Sequence, residues 1–130
     1  MASLLQSYLD AFAARNADAL SALFAEAALY ELPLLGQRLV GRREIKAGLA
    51  RAFALAERCA FEVSGVQSAG EATIAEGRLT AKLHRDQAPV AIPAAIVLQV
   101  RDGAIHRLST YLDARPHRLW SDGPVFAATR

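Results

Sequence analysis

One cysteine, Cys59, is all the thiol that this 130-residue chain holds. An intrachain disulfide is therefore impossible, and so is a thiolate metal cluster. Histidines number three, and His84, His106 and His117 have neither the spacing of a metal site nor carboxylates placed to join them. No metal and no cofactor is expected. No apolar run reaches membrane-spanning length. The first ten residues carry polar side chains at helical intervals and no basic region, unlike a signal peptide. These features lead to the expectation of a cytoplasmic protein without a membrane partner. Charge of one sign is missing too: the net charge is +2, and Arg15, Arg38, Arg58, Arg85, Arg107 and Arg130 are interleaved with acids. A nucleic-acid interface needs cations gathered on one face, so none is expected. With no internal repeat and no linker, residues 1–130 read as one domain.

What is present is a core. The hydrophobic fraction is 53% and the charged fraction 22%, the balance of a globular chain. Ser3 with Gln6 three residues on is a capping-box pattern. Leu4, Leu5, Tyr8, Leu9 and Phe12 then recur at helical spacing, which predicts a helix ending near Asn16. Asp18 is placed to cap a second, short helix carrying Leu20, Leu23 and Phe24. Residues 29–32 are short and β-like, and Pro33 and Gly36 break them. After Gly41 a third helix follows, with Ile45, Leu49, Ala52, Phe53 and Ala56 on its core face. Gly48 weakens it unless something packs closely there.

From Ala60 the period changes to two. Phe61 and Val63 alternate with Glu62 and Ser64. After a turn at Ser68, Ala69 and Gly70, the residues Ala75, Gly77, Leu79, Ala81 and Leu83 share one face of a long strand. Residues 90–100 are almost wholly apolar, as in a strand covered on both faces, and Pro93 implies a bulge or bend within it. Asp102-Gly103 predicts a hairpin, and residues 105–113 form the last strand. Sequential hairpins imply an antiparallel sheet, and helices before strands imply an α+β class. The tail, residues 114–130, carries Leu119, Trp120, Val125 and Phe126 and is expected to dock on the domain.

Taken in order, the helix bearing Tyr8, the F-A-E-A-A-L-Y run at 24–30, the G-R-R-E-I turn at 41–45 and the hairpin D-G-A-I-H-R-L-S-T-Y-L-D at 102–113 resemble the SnoaL-like branch of the nuclear transport factor 2-like superfamily. That superfamily includes ketosteroid isomerases, limonene epoxide hydrolases and polyketide cyclases. The resemblance spans residues 4 to about 113. It implies a cone-shaped, curved antiparallel sheet wrapped around the N-terminal helices, an apolar cavity at the open end, and a homodimer through the outer face of the sheet.

The resemblance also implies site residues. Tyr8 matches the oxyanion-donating tyrosine of ketosteroid isomerases. Their proton-shuttling aspartate is replaced by Leu32, and their second donor falls at or near Pro93. Tyr30 matches a water-holding tyrosine of limonene epoxide hydrolases, whose Asp-Arg-Asp machinery falls near Leu79, Gly77 and Thr110; a one-residue slip would bring in Arg78. Alternation places His106, Leu108, Thr110 and Leu112 on the implied cavity face. The catalytic candidates are thus Tyr8, Tyr30 and His106, with His106 the best available base because its reference pKa suits neutral pH. Each also has an ordinary reading: a core tyrosine with its hydroxyl at the rim, or a histidine merely hydrogen-bonded or exposed. Leu32, Phe53, Leu79, Leu108, Thr110 and Leu112 are the candidate ligand contacts. Parity sends Glu31 and Glu76 away from the cavity.

General acid–base catalysis contributes on the order of 10²–10⁴ in rate, and a leucine at the base position forfeits it. The expectation is a pocket for a hydrophobic, oxygenated small molecule with no assigned reaction. One alternative is a cofactor-independent isomerase, cyclase or epoxide hydrolase acting on a terpenoid, steroid-like or polyketide substrate. Another is a non-catalytic assembly domain.

Overall fold

The computed structural model describes residues 3–85 and 88–113. The expected docking of the tail falls on residues 114–130 and lies outside the described residues. The chain opens with α1 (Leu4–Ala13) and α2 (Ala17–Ser21), enters β1 (Phe24–Leu32), makes a 3-10 turn at Pro33–Leu35, and returns as β2 (Gln37–Val40). Then come α3 (Arg42–Ala54), β3 (Ala56–Ala69), β4 (Ala72–Leu83), β5 (Val90–Arg101) and β6 (Ala104–Leu112). The strands form one sheet in the order β2-β1-β6-β5-β4-β3. The class is α+β as expected. The sheet is mixed rather than wholly antiparallel, because β1 runs parallel to β6 while the other pairs are antiparallel.

Local chemistry accounts for the helix starts. The Ser3 side chain accepts from the Gln6 N–H at 3.0 Å, while the Gln6 amide reaches forward to Asp10 at 2.9 Å. Only half of the capping box is therefore made. Asn16, not Asp18, caps α2 by accepting from Ala19 N–H, and Asp18 pairs instead with Lys46 at 2.6 Å. The second helix stops at Ser21, so Phe24 begins a strand. The pairing of β1 with β6 shifts register between Phe24 and Leu29, which leaves carbonyls there outside a regular ladder. The G-R-R-E-I turn satisfies two of them: Gly41 N–H donates to Ala28 O at 2.7 Å, and Arg42 donates through Nε and Nη2 to Phe24 O, each at 3.0 Å. Glu44 accepts from Val40 N–H, and Ile45 drops into the core. The motif therefore stitches the start of α3 to an irregular strand. Gly48 lets α3 approach β2, since a Cβ there would lie 2.6 Å from a methyl of Leu39.

Strands are longer than the alternation alone predicts. β1 reaches back to Phe24, β3 back to Ala56 (expected on the α3 face), and β2 forms between Gly36 and Gly41, where the pattern predicts no strand. Pro93 makes no bulge. Its register against Arg78 is continuous, and it lies one residue beyond the last pair with β6, Ala94 with Leu112. The missing N–H thus interrupts no ladder on that side. Register shifts occur elsewhere: between Ala56 and Arg58 and between Val63 and Gly65 against β4, and between Gln99 and Val100 against β6. Bulges add bend and twist, and these curve the sheet over the helices. Asp102 and Gly103 both have positive φ, at 52° and 76°, as a two-residue primed hairpin turn requires. The core between helices and sheet holds Leu20, Phe24, Leu39, Ile45, Ile105 and Leu108, all without exposure.

Candidate functional site

Tyr8 of α1 and Tyr30 of β1 meet in the core. Their hydroxyl oxygens are 2.6 Å apart, and either can donate. Helical spacing puts Phe12 one turn beyond Tyr8, with ring centroids 5.9 Å apart, and Phe12 meets Phe53 of α3 edge-on at 5.5 Å. Phe24 backs Tyr30 at 5.9 Å. This row of rings runs from the closed interior to a cavity of about 110 Å³ between α1, α3 and the concave face of the sheet. Leu55 lines the cavity and is 55% exposed, which places it at the rim.

Of the residues nominated from sequence, Tyr8, Tyr30, Leu32, Phe53, Leu79, Thr110 and Leu112 line this cavity. Two others do not. Leu108 is fully buried in the core, paired with Tyr30 and Leu98, and is not part of the lining. His106 is half-buried and also outside the lining. The reason is the bulge: β6 pairs Arg107 with Gln99 but Ile105 with Val100, so it carries one extra residue at His106. Alternation counted back from Leu108 loses its parity there, and Ile105 takes the buried position. Sequence reasoning did not nominate Phe12, Cys59, Phe61 or Ile96, which also line the cavity. The signal was available for Phe12, one turn from Tyr8, and for Phe61, in an alternating run.

The carboxylates turn away, as parity predicts. Glu31 accepts from Arg107 Nε at 3.1 Å, Arg107 Nη2 at 3.0 Å and Ser109 Oγ at 2.8 Å on the opposite face of the sheet. Arg78 also faces outward, paired with Glu62 at 2.8 Å; no slip brings it inward. Among the described residues, no Asp, Glu, His, Lys or Arg lines the cavity. Nor does any group of three His, Cys, Asp or Glu side chains among them gather closely enough to hold a metal ion.

The polar atoms of the lining are hydroxyls and one thiol, and burial keeps the acidic ones protonated. Desolvation pushes the Tyr8 phenol well above its ordinary value, reinforced by the neighbouring Tyr30. Tyr30 is pushed up to about 12, again chiefly by burial. Burial raises the Cys59 thiol to about 11, against a small opposing pull from Arg15. All three bind a proton more tightly folded than unfolded. Their contribution to stability is therefore complete below the unfolded values, 9.0 for the thiol and 10.0 for the phenols, and is lost as pH rises through the folded ones. Urea melts should show stability level up to about pH 9, then falling, with each fully buried phenol removing up to about 1.4 kcal/mol per pH unit above about pH 10. Tyr8→Phe should flatten the decline above pH 10; an unchanged slope would show that the phenols do not cause it.

Chemically, the described lining is hydrocarbon broken by the tyrosine and threonine hydroxyls and the Cys59 thiol, and no carboxylate or imidazole is among the described lining residues.

Comparison with known proteins agrees with this architecture. The family model described as the SnoaL-like domain matches residues 5–108. Among solved structures, a hypothetical protein from Catenulispora acidiphila with a ketosteroid isomerase-like fold, in complex with trimethylamine, is 24% identical. The match covers 94% of each chain, with a TM-score of 0.82. A candidate polyketide cyclase from Xanthomonas campestris pv. campestris is 27% identical over 85% of this chain and 87% of its own, with a TM-score of 0.74. An LEH-like epoxide hydrolase from M. tuberculosis is 24% identical over 85% of this chain and 80% of its own, with a TM-score of 0.68. No curated protein matches.

Proposed function

The chain belongs to the SnoaL-like domain family, and from that premise we propose that it is a small-molecule pocket protein that binds a hydrophobic, oxygen-bearing ligand. The family alone does not choose between binding and catalysis, since one fold hosts many functions. Its structural neighbours range from a ketosteroid isomerase-like protein in complex with trimethylamine to an LEH-like epoxide hydrolase. The observation that carries the binding reading is the neutrality of the cavity. Its described lining holds no charged side chain, and its tyrosines and cysteine are held protonated by burial. A general base would need a pKa near the working pH. A ligand needs only apolar surface to displace water and a hydroxyl to orient its oxygen.

A second reading is favoured by one feature, the hydrogen-bonded tyrosine pair. Two phenols in a cavity lined chiefly by hydrocarbon are placed to stabilise negative charge developing on a ligand oxygen. On that reading the protein is an enzyme of the isomerase, cyclase or epoxide hydrolase kind.

One experiment separates the two. The full chain is screened by thermal shift against cyclic ketones, terpenoid epoxides, steroids and small polyketides, and every stabilising compound is recovered and analysed. A ligand that raises Tm and returns unchanged, with the rise reduced by Tyr8→Phe, is the expected result. A ligand that raises Tm and is converted makes the protein an enzyme. Absence of any stabilisation across the screen counts against the pocket reading.

A further inference from the structure

We propose that residues 114–130 dock across the open mouth of the cavity, with Trp120 packed on the rim at Leu35 and Leu55. The docking stands apart from the pocket reading above; only its effect on ligand entry rests on that reading.

The mouth is the first ground. Leu32 ends β1, Leu83 ends β4 and Leu112 ends β6, and all three line the cavity. β1 runs parallel to β6, and β4 and β6 are both antiparallel to β5, so these three leucines lie at one end of the sheet. Leu55, the residue that caps α3, is at the same end, because Ala56 after it pairs with Leu83. It lines the cavity and is 55% exposed. That exposure is not a frayed helix end. Leu55 N–H donates to Ala52 O, and Leu55 O accepts from His84 N–H, each at 3.1 Å. A lone exposed leucine is ordinary. One pinned at the open edge of an apolar cavity marks a surface built to be covered. Leu35 lines the cavity from the 3-10 turn, and Leu34 beside it in the turn is 56% exposed.

The path of the chain is the second ground. β6 ends on Leu112, a wall of the cavity, so the chain leaves the sheet at the mouth. Trp120 follows Leu112 by eight positions, and eight residues reach up to about 26–29 Å when extended, ample to cross a small opening. Residues 114–130 carry Leu119, Trp120, Val125 and Phe126, whose burial against leucines removes apolar surface from water. Tethering makes this contact intramolecular, at an effective concentration on the order of millimolar. A second copy of the chain at lower concentration competes poorly for the same rim.

The chain carries its own probes. Trp120 is its only tryptophan, and Cys59, its only cysteine, lines the cavity. In the full chain, Trp120 should resist acrylamide quenching and emit to the blue of the urea-unfolded chain. Leu55→Lys puts a cation at the end of α3, which the helix favours, and a charge in the proposed contact. It should shift the emission to the red and raise quenching toward the unfolded level. Labelling of Cys59 by methyl methanethiosulfonate, followed by mass, should quicken about tenfold in Leu55→Lys and in Trp120→Ser. Trp120→Phe should return it toward the parent rate. If Trp120→Ser does not fold, Leu55→Lys decides. Quenching in the full chain equal to that of the unfolded chain overturns the docking. A shielded Trp120 that ignores Leu55→Lys places the segment elsewhere and overturns the site, as does Cys59 labelling unchanged in folded Trp120→Ser. Shielding that is lost on dilution assigns the rim to a second copy and overturns the intramolecular contact. None of these readouts uses a ligand, so the thermal-shift screen still decides the pocket reading by itself.

Discussion

Gly77→Ala is expected to cost about 4 kcal/mol or more, against a total stability of about 5–15 kcal/mol for a domain. Gly77 pairs with Val63 where β3 carries an extra residue before Gly65. A Cβ at Gly77 would sit 1.8 Å from the backbone oxygen of Glu62, 2.8 Å from its carbonyl carbon and 3.0 Å from Val63 Cα. All three are backbone atoms of a paired strand, so no rotamer change relieves the clash; the bulge itself would have to open. Gly65, beside the same bulge, makes the contrast. There an added Cβ meets only the end of the Glu76 side chain, at 3.9 Å. Gly65→Ala should therefore stay within about 1 kcal/mol of the parent in either direction. Urea melts of the two variants check this pair. Similar melts for both would mean that the bend at β3 and β4 is not set by this contact.

Leu32→Asp should be the second most damaging change, and it should be strongly pH-dependent. Leu32 is 7% exposed and lines the cavity. The substitution removes buried hydrocarbon, which alone costs about 2–4 kcal/mol, and places a carboxyl where no described lining residue is cationic. Burial without a counter-charge raises a carboxyl pKa. The sign follows from linkage. With the folded pKa above the unfolded value of about 3.9, the charge penalty is absent below that value. It then grows by up to about 1.4 kcal/mol per pH unit until the folded pKa is reached. The variant should therefore be closer to the parent at pH 4 than at pH 7, whereas Leu32→Ala should carry its cost at both. Denaturation at the two pH values distinguishes them. A cost for Leu32→Asp that is the same at pH 4 and pH 7 would mean that the side chain escapes to solvent, and that the cavity is wetter than its lining implies.

Much of this structure is legible in the chain because the local signals agree with the packing. The 3.6 period of Leu4, Tyr8 and Phe12, the alternation from Ala75 to Leu83 and the Asp102-Gly103 turn all report burial or backbone geometry at short range. Each appears in the structure where the pattern puts it. What was hidden is what depends on distant partners. The four residues of β2 lie between Gly36 and Gly41, so breakers mask a strand whose existence rests on pairing with β1. Phe24 continues a helical pattern, yet tertiary pairing with Ile105 claims it for the sheet. His106 shows the limit most clearly. A single extra residue in β6 reverses which side chain faces inward, and nothing in the residues around it announces the bulge. Pro93 misleads in the opposite direction, since the place where a neighbouring strand ends is invisible in sequence. Of the cavity lining, Tyr8 and Tyr30 are legible through the family resemblance, and Phe12 and Phe61 through period alone. The shape of the cavity depends on how α3 crosses the sheet, which Gly48 permits but does not advertise.

The parallel pairing of β1 with β6 has a consequence for how the protein is made. Glu31 and Ser109, joined across that pair, are 78 residues apart in the chain. Strands β3 to β6 pair with their sequence neighbours and face only short loop closures, whereas β1 must wait for the last strand before it has a partner on its inner edge. Contacts so far apart slow folding, because chain entropy is lost before any pairing is gained. At about 5–20 residues per second, a ribosome takes roughly 4–16 s to span that interval. During it, the nascent β1 presents unpaired backbone on one side. A chain that ends before β6 would leave two open edges in the middle of the sheet, one on β1 and one on β5. Such a fragment should recruit other strands rather than settle into a smaller version of the domain.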